Sequence, residues 1–371
     1  MTVSISGTDG VTFNDSSVQT TAAKVGMVNR IINGAMVIDQ RNAGAAVTVN
    51  STGQAYPVDR FFGTGQSSDG VFTLQQSSTT PAGFVNSVVA TVTTADASIG
   101  ATQNYLFRQR VEGYNIADLN WGTANAATVT FSFWVRSSLT GTFGGTLHNG
   151  NGDRFYPYSY TISVANTWEQ KTITIAGDTT GTWEKTNGIG LNIIWSFGTG
   201  STLLAPSSAW TATTYTGFTG QTNLIGTNGA TFYITGVQLE KGSTATAFDY
   251  RPYGTELALC QRYYQKFSAT ASGQVFSSGM MNSTTTGRMF IPFLVPLRTN
   301  PTALEQSGTA SDYAILHGGT ATTCSAVLGF VSATVNGGSF EATIASGGTT
   351  GNGALVRSAT SSAYLGWSAE L

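Results

Sequence analysis

The chain has 371 residues, enough for two or three domains at roughly 150 residues each. Only 10% are charged and the net charge is −2, far below the ~25% of a typical soluble domain, so no basic field exists to gather nucleic-acid phosphates. With 45 glycines and two cysteines, Cys260 and Cys324, the composition favours many tight turns and excludes a disulfide framework. No apolar run approaches the ~18 residues of a membrane span, and "MTVSISGTDG" has neither the basic start nor the apolar stretch of a secretory signal. The expectation is a protein made in a cytoplasm without membrane insertion.

Residues 1–26 form a polar lead-in. Val3/Ile5 and Val11/Phe13 alternate around "GTDG", which reads as a small hairpin too short to bury a core. It is either a loose terminus or an attachment or oligomerisation segment. From 27 to 254 strand follows strand. Val129, Phe131, Phe133 and Val135 share one face at period two, opposite Thr130, Ser132, Trp134 and Arg136. Tyr158, Tyr160, Ile162 and Val164 share another face, as do Ile189, Leu191, Ile193, Trp195 and Phe197. Short strands separated by Gly- and Asn-rich turns, with no helical period between them, predict an all-β fold whose large domain is an antiparallel β-sandwich of jelly-roll type.

In "ATFYITGVQLEKG" the apolar parity slips from Phe232 and Ile234 to Val237 and Leu239, which predicts a β-bulge at Gly236. A linker helix is expected over 255–267. Thr255 is its N-cap, Glu256 lies at its positive end, and Leu257, Cys260 and Tyr264 form its apolar stripe. Residues 268–371 are strand-rich again and read as a second, smaller β-sandwich. Its segment "RMFIPFLVPLR" is apolar on both parities, as a deeply buried or interfacial segment would be, and Pro292 and Pro296 make it a poor central strand. Seven charged residues between Glu240 and Lys266 stand out in so neutral a chain. Pairs such as Glu240/Lys241 and Asp249/Arg251 are expected to fix the angle between the two domains.

The run "FYITGVQLEKGSTATAFDYRPYGTELALCQRYYQKF" resembles a recurrent segment of bacteriophage tail-fibre and receptor-binding proteins, where it closes a jelly roll like those of carbohydrate-binding modules. "NRIINGAMVIDQRNAG" and "YPVDRFF" are similar to the opening of that domain, and "YLGWSAEL" to the end of such proteins. The resemblance implies a virion structural protein made in the host cytoplasm. It further implies a homotrimer joined to other virion tail proteins, with recognition of a host surface polysaccharide as its task. No residue inherits a role from it. A capsid decoration or head-fibre protein and a polysaccharide-degrading tail spike are the alternatives.

The residues themselves carry no catalytic motif. No G-x-S-x-G elbow or Walker loop is present, and His148 and His317 are far apart in sequence. A non-enzymatic protein is expected. No D-x-D-x-D run marks a metal site, so no cofactor is assigned, although a structural calcium is compatible with a jelly roll. Sugars dock on aromatic faces and on neutral hydrogen-bonding groups. The aperiodic stretch 198–229 holds Trp210, Tyr215 and Phe218 in a loop long enough to be functional. Trp134 on a polar strand face and the Asp153/Arg154 turn complete the candidate ligand-binding set. Contacts of this neutral kind are expected to be insensitive to salt.

Overall fold

Alternation at period two is realised through most of the chain. The computed structural model describes residues 27–51, 53–67 and 69–371, and within 1–26 the backbone of Ser4–Ser6, Gly10–Thr12 and Val18–Gln19. Ser4–Ser6 pairs antiparallel with Gly10–Thr12, as the hairpin reading requires. Val3, Phe13 and the proposed attachment role of 1–26 lie outside the described residues.

Two six-stranded antiparallel sheets face each other. In one, the order is Glu169–Ile175, Val129–Ser137, Thr231–Lys241, Ser87–Thr94, Val71–Ser77 and Val47–Val49. In the other it is Phe155–Ile162, Gly141–Asn149, Ile189–Thr199, Asn104–Glu112, Phe61–Gly65 and Ala55–Val58. The chain crosses repeatedly between them, the jelly-roll pattern. Trp195 lies at the centre of the shared core, its ring 5.6 Å from Phe131, 5.7 Å from Phe107 and Phe133, and 6.3 Å from Phe61. Val164 departs from its expected face. Its strand ends at Ile162 and it is exposed.

The parity slip is a bulge, as read. Ser132 faces Gln238 but Trp134 faces Thr235, so Gly236 and Val237 together oppose Phe133. Gly236 has φ +61°, and a Cβ there would sit 2.6 Å from the Phe84 ring, two reasons for glycine at this point.

The helix spans Tyr253–Gln261, not 255–267. It starts directly after Pro252, whose carbonyl accepts the Glu256 N–H at 3.1 Å, so Thr255 lies inside the helix instead of capping it. It stops early because Tyr264–Ser268 pairs with Tyr364–Ser368. That ladder overrides helical propensity from a hundred residues away. Tyr264 therefore belongs to a strand, and the buried contacts here are those of Cys260 in the helix and Tyr263 just beyond it with Ile32 and Ile38 of the jelly roll.

The C-terminal unit is all β with its own core, but it is a closed six-stranded barrel and not a second sandwich. Closure comes from Val275–Met281 pairing with both Thr286–Pro292 and Gly353–Ser358, which leaves no edge within the barrel, while Tyr364–Ser368 joins Tyr264–Ser268 and Glu305–Gln306 in a separate three-stranded sheet. "RMFIPFLVPLR" contributes a strand with neighbours on both sides. Pro292 is tolerated at its last position. Met289, Ile291 and Leu297 are buried, whereas Phe290 and Leu294 are exposed.

Charges do hold the junction, but not the pairs expected. Glu112, buried on the jelly-roll side, accepts from Arg262 Nε and Nη2 at 2.9 and 2.6 Å and from the Tyr263 hydroxyl at 2.5 Å. Arg41 and Arg60 both pair with Glu370 and stack over the rings of Tyr264 and Tyr263. Glu240, Lys241, Asp249 and Arg251 instead tie the closing segment to the start of the jelly roll and to neighbouring loops. Asp249, for instance, accepts from the Asn29 N–H and Glu240 from Thr246.

Candidate ligand-binding groove

In Asn104–Glu112 period two sends Tyr105, Phe107 and Val111 into the core and turns Leu106, Arg108 and Arg110 to the outer face. The same holds on the neighbouring strands. The ladders align His148, Asn192 and Arg110 in one row across three strands, and Thr146, Ile194, Arg108 and Phe62 in the next. His148, Asn192, Arg110, Ile194 and Arg108 of these rows form the floor of a groove of about 420 Å³, walled by Leu203, Thr214 and Thr216 and closed at one end by Gly150, Gly152 and Phe155. Its volume is that of a small-molecule site.

The electrostatics of the groove are one-sided. Among the described residues, no Asp or Glu lines it. Arg108 makes no hydrogen bond or ion pair among the described residues, and its Nε is buried without a partner, as is Thr146 Oγ1 in the same row. Burial, and then the charge of Arg110, pull the Arg108 pKa down to about 10. Arg110 is lowered by burial, and it donates from Nη1 to the Leu371 carbonyl and from Nε to Asn192 Oδ1 at 3.3 Å. Burial lowers His148 to about 4, opposed by the Asn149 carbonyl and assisted by the two arginines. His148 Nδ1 lies 2.8 Å from that carbonyl, so the neutral ring carries its proton on Nδ1 and leaves Nε2 as an acceptor. Its ring stacks on Phe155, centroids 4.9 Å apart.

Few of the residues singled out in the sequence form this groove. Trp210 is a staple, not a free platform. It meets Trp121, Trp183 and Tyr156 at 5.3, 5.5 and 5.2 Å, and its Nε1 donates to the Ala176 carbonyl at 2.7 Å. With Thr211 bridged to Phe155 through both backbone hydrogen bonds, it pins the long loop. The loop thus lends the groove its threonines. Tyr215, half-buried between them, and Phe218, packed toward Gly144, are not lining residues. Arg154 is clamped by Asp178 through two bonds of 2.6 and 2.8 Å, and Asp153 accepts from Asn149 at 2.5 Å. Both shape the turn that ends the groove. Trp134 lies on the outer face of the opposite sheet, half-buried beside Gly236. Among the described residues no three His, Cys, Asp or Glu side chains gather as a metal ion would require.

Arg108, Arg110 and Asn192 went unmarked in the sequence. A signal was present: "YLFRQRVEG" places two of the chain's few basic residues at period two opposite an apolar parity. The groove therefore sets Arg108 and Arg110 beside Asn192 and His148.

No protein-family model matches the chain, and no curated protein matches it. Solved structures do. A CBM4 structure is 15% identical over 57% of this chain and 98% of its own, with a TM-score of 0.27. A family 11 carbohydrate-binding module from Clostridium thermocellum, in complex with a β-1,3-1,4-mixed-linked tetrasaccharide, is 11% identical over 56% of this chain and 100% of its own, with a TM-score of 0.27. The enzymatically active domain of bacteriophage CBA120 tailspike protein 4 is 11% identical over 58% of this chain, with a TM-score of 0.29, and the match spans 22% of that chain.

Proposed function

We propose that the groove binds a glycan chain and that the protein is a non-enzymatic adhesin of a virion fibre, assembled as a homotrimer that recognises a host surface polysaccharide. The observation carrying this reading is the outer-face floor itself. Amide, imidazole and guanidinium groups stand in register on a rigid sheet, with threonine hydroxyls on the wall and a stacked Phe155/His148 pair at one end. Such an array offers hydrogen bonds to sugar hydroxyls and a flat surface for their C–H faces. No Asp or Glu is among the described residues that line the groove, which favours binding over hydrolysis, since hydrolysis needs two carboxyl groups about the scissile bond.

Support for assembly comes from the barrel. Met280 and Phe290 point outward from paired strands and are 50% and 53% exposed, the kind of apolar surface that a second copy covers. Three weak sites on one fibre give avidity without any tight one.

The test is binding of a polysaccharide panel by the intact protein and by Asn192→Trp, which fills the groove floor. Binding that the substitution abolishes, with no reducing ends released, is the expected result. Binding untouched by Asn192→Trp overturns the groove as the site, and release of reducing ends favours a depolymerising spike.

A further inference from the structure

Several arginines elsewhere in this chain that leave solvent are matched by carboxylates, although Arg298 bonds backbone carbonyls instead. Arg60 has Glu370, Arg154 has Asp178 and Arg262 has Glu112. Arg108 has none, and Arg110 donates to Asn192 Oδ1 and the main-chain oxygen of Leu371, with Glu370 acting on it at longer range. A guanidinium drawn out of water without a counter-charge is costly, and two side by side on one sheet face add mutual repulsion. We propose that the groove is selective for an acidic polysaccharide, whose anionic group lies over Arg108 and Arg110 while its hydroxyls meet Asn192, His148 and the threonine wall. This rests on the reading of the groove as a glycan site and specifies the class of glycan.

Three features support it. Among the described residues that line the groove there is no Asp or Glu to compete for Arg108. The planar guanidinium presents a fork of donors that matches carboxylate or sulfate oxygens in pairs, and the Arg108 Nε is a buried donor with no partner among the described residues. Burial is the main cause of the depressed Arg108 and His148 pKa values, and the neighbouring arginine charges push both further in the same direction. An anion in the groove reverses that field. His148 then becomes easier to protonate, and its only titratable neighbours along the lining are those two arginines.

The experiment uses the full chain and three probes of equal length by calorimetry: an oligogalacturonate, its fully methyl-esterified form, and a sulfated neutral oligosaccharide. The expected result is that the oligogalacturonate binds at least about tenfold tighter than its ester, and that the advantage shrinks as salt rises. Arg108→Gln should remove the preference for the acid over its ester, and Arg108→Lys should keep part of that preference. In the unmodified protein, the His148 ring resonances should titrate at higher pH when the acid is bound, a readout that does not depend on any variant folding. A preferred sulfated probe would assign the anionic group to a sulfate ester in place of a uronate, within the same chemistry. Ester and acid bound equally, with His148 unmoved, overturn the acidic selectivity and leave the groove as a neutral-sugar site. Failure of all three probes, together with failure of the wider panel, overturns the groove itself.

Discussion

Replacing Trp210 by alanine is expected to loosen the wall of the groove before it affects the sandwich. The side chain is half-buried, so only part of its area term is at stake. It makes three ring contacts, to Trp121, Trp183 and Tyr156, each worth roughly 0.5–1.5 kcal/mol beyond area. Its Nε1 bond to the Ala176 carbonyl adds about 1 kcal/mol. Taken near the lower end because the side chain is half-exposed, the sum is about 3 kcal/mol, at the bottom of the ~3–5 kcal/mol typical of a fully buried tryptophan and smaller than the ~5–15 kcal/mol that holds a domain folded. Trp210→Ala should therefore fold, with the jelly-roll transition lowered by roughly 6–12 °C. Loop residues 205–216 should become the first site of limited proteolysis. Trp210→Phe, which keeps a ring and loses the hydrogen bond, should recover most of the loss. Glycan binding should fall in Trp210→Ala through displacement of Thr214 and Thr216, and return in Trp210→Phe. A Trp210→Ala protein as stable and as protease-resistant as the parent would refute the staple, and would return Trp210 to the role of an exposed binding platform.

Glu112→Ala strips Arg262 and Tyr263 of their shared acceptor. Because Arg262 keeps 34% of its side chain exposed and can rehydrate, the cost should be about 2–4 kcal/mol in urea unfolding; a double-mutant cycle with Arg262→Met giving no coupling would remove this pair from the junction. His148 sits at about 4 in the folded protein, below its unfolded value of about 6.5. Its contribution is thus present above pH 6.5 and lost as pH falls toward 4, at most about 3 kcal/mol. Asp59, raised by burial to about 6, acts in the opposite sense, its contribution fading as pH rises from about 4 to 6. The readout is accordingly the difference between wild type and His148→Gln, whose stability should converge as pH drops through this window; parallel curves would contradict the burial of His148. Phe290→Ser should alter assembly in light scattering while leaving unfolding within about 0.5 kcal/mol, and a parent protein that is monomeric at micromolar concentration would end the trimer reading.

Period two was enough to read the strands of the sandwich, because one buried and one outward face leave their mark residue by residue on Val129–Ser137 and Ile189–Thr199. The bulge at Gly236 was legible for the same reason: an inserted residue flips parity at once. The helix was found, yet its end was misplaced. Tyr264 looks helical by its neighbours and is held in a ladder by residues a hundred positions away. The site was harder still. Aromatic residues in a long loop look available when read alone, and only packing reveals that Trp210 faces other tryptophans.

What the residues of this chain settled alone is local: which side of each strand is apolar, where a turn or bulge must fall, and how little charge the chain has to spend. What the tertiary structure decided is which strands lie side by side. That pairing brings Arg110, Asn192 and His148 into one row from three separate strands and closes the second unit into a barrel. It also gives carboxylates to Arg60 and Arg262 while leaving Arg108 without one. Burial and charge compensation depend on atoms brought together from distant parts of the chain, and a pattern with a period of two residues holds no record of them.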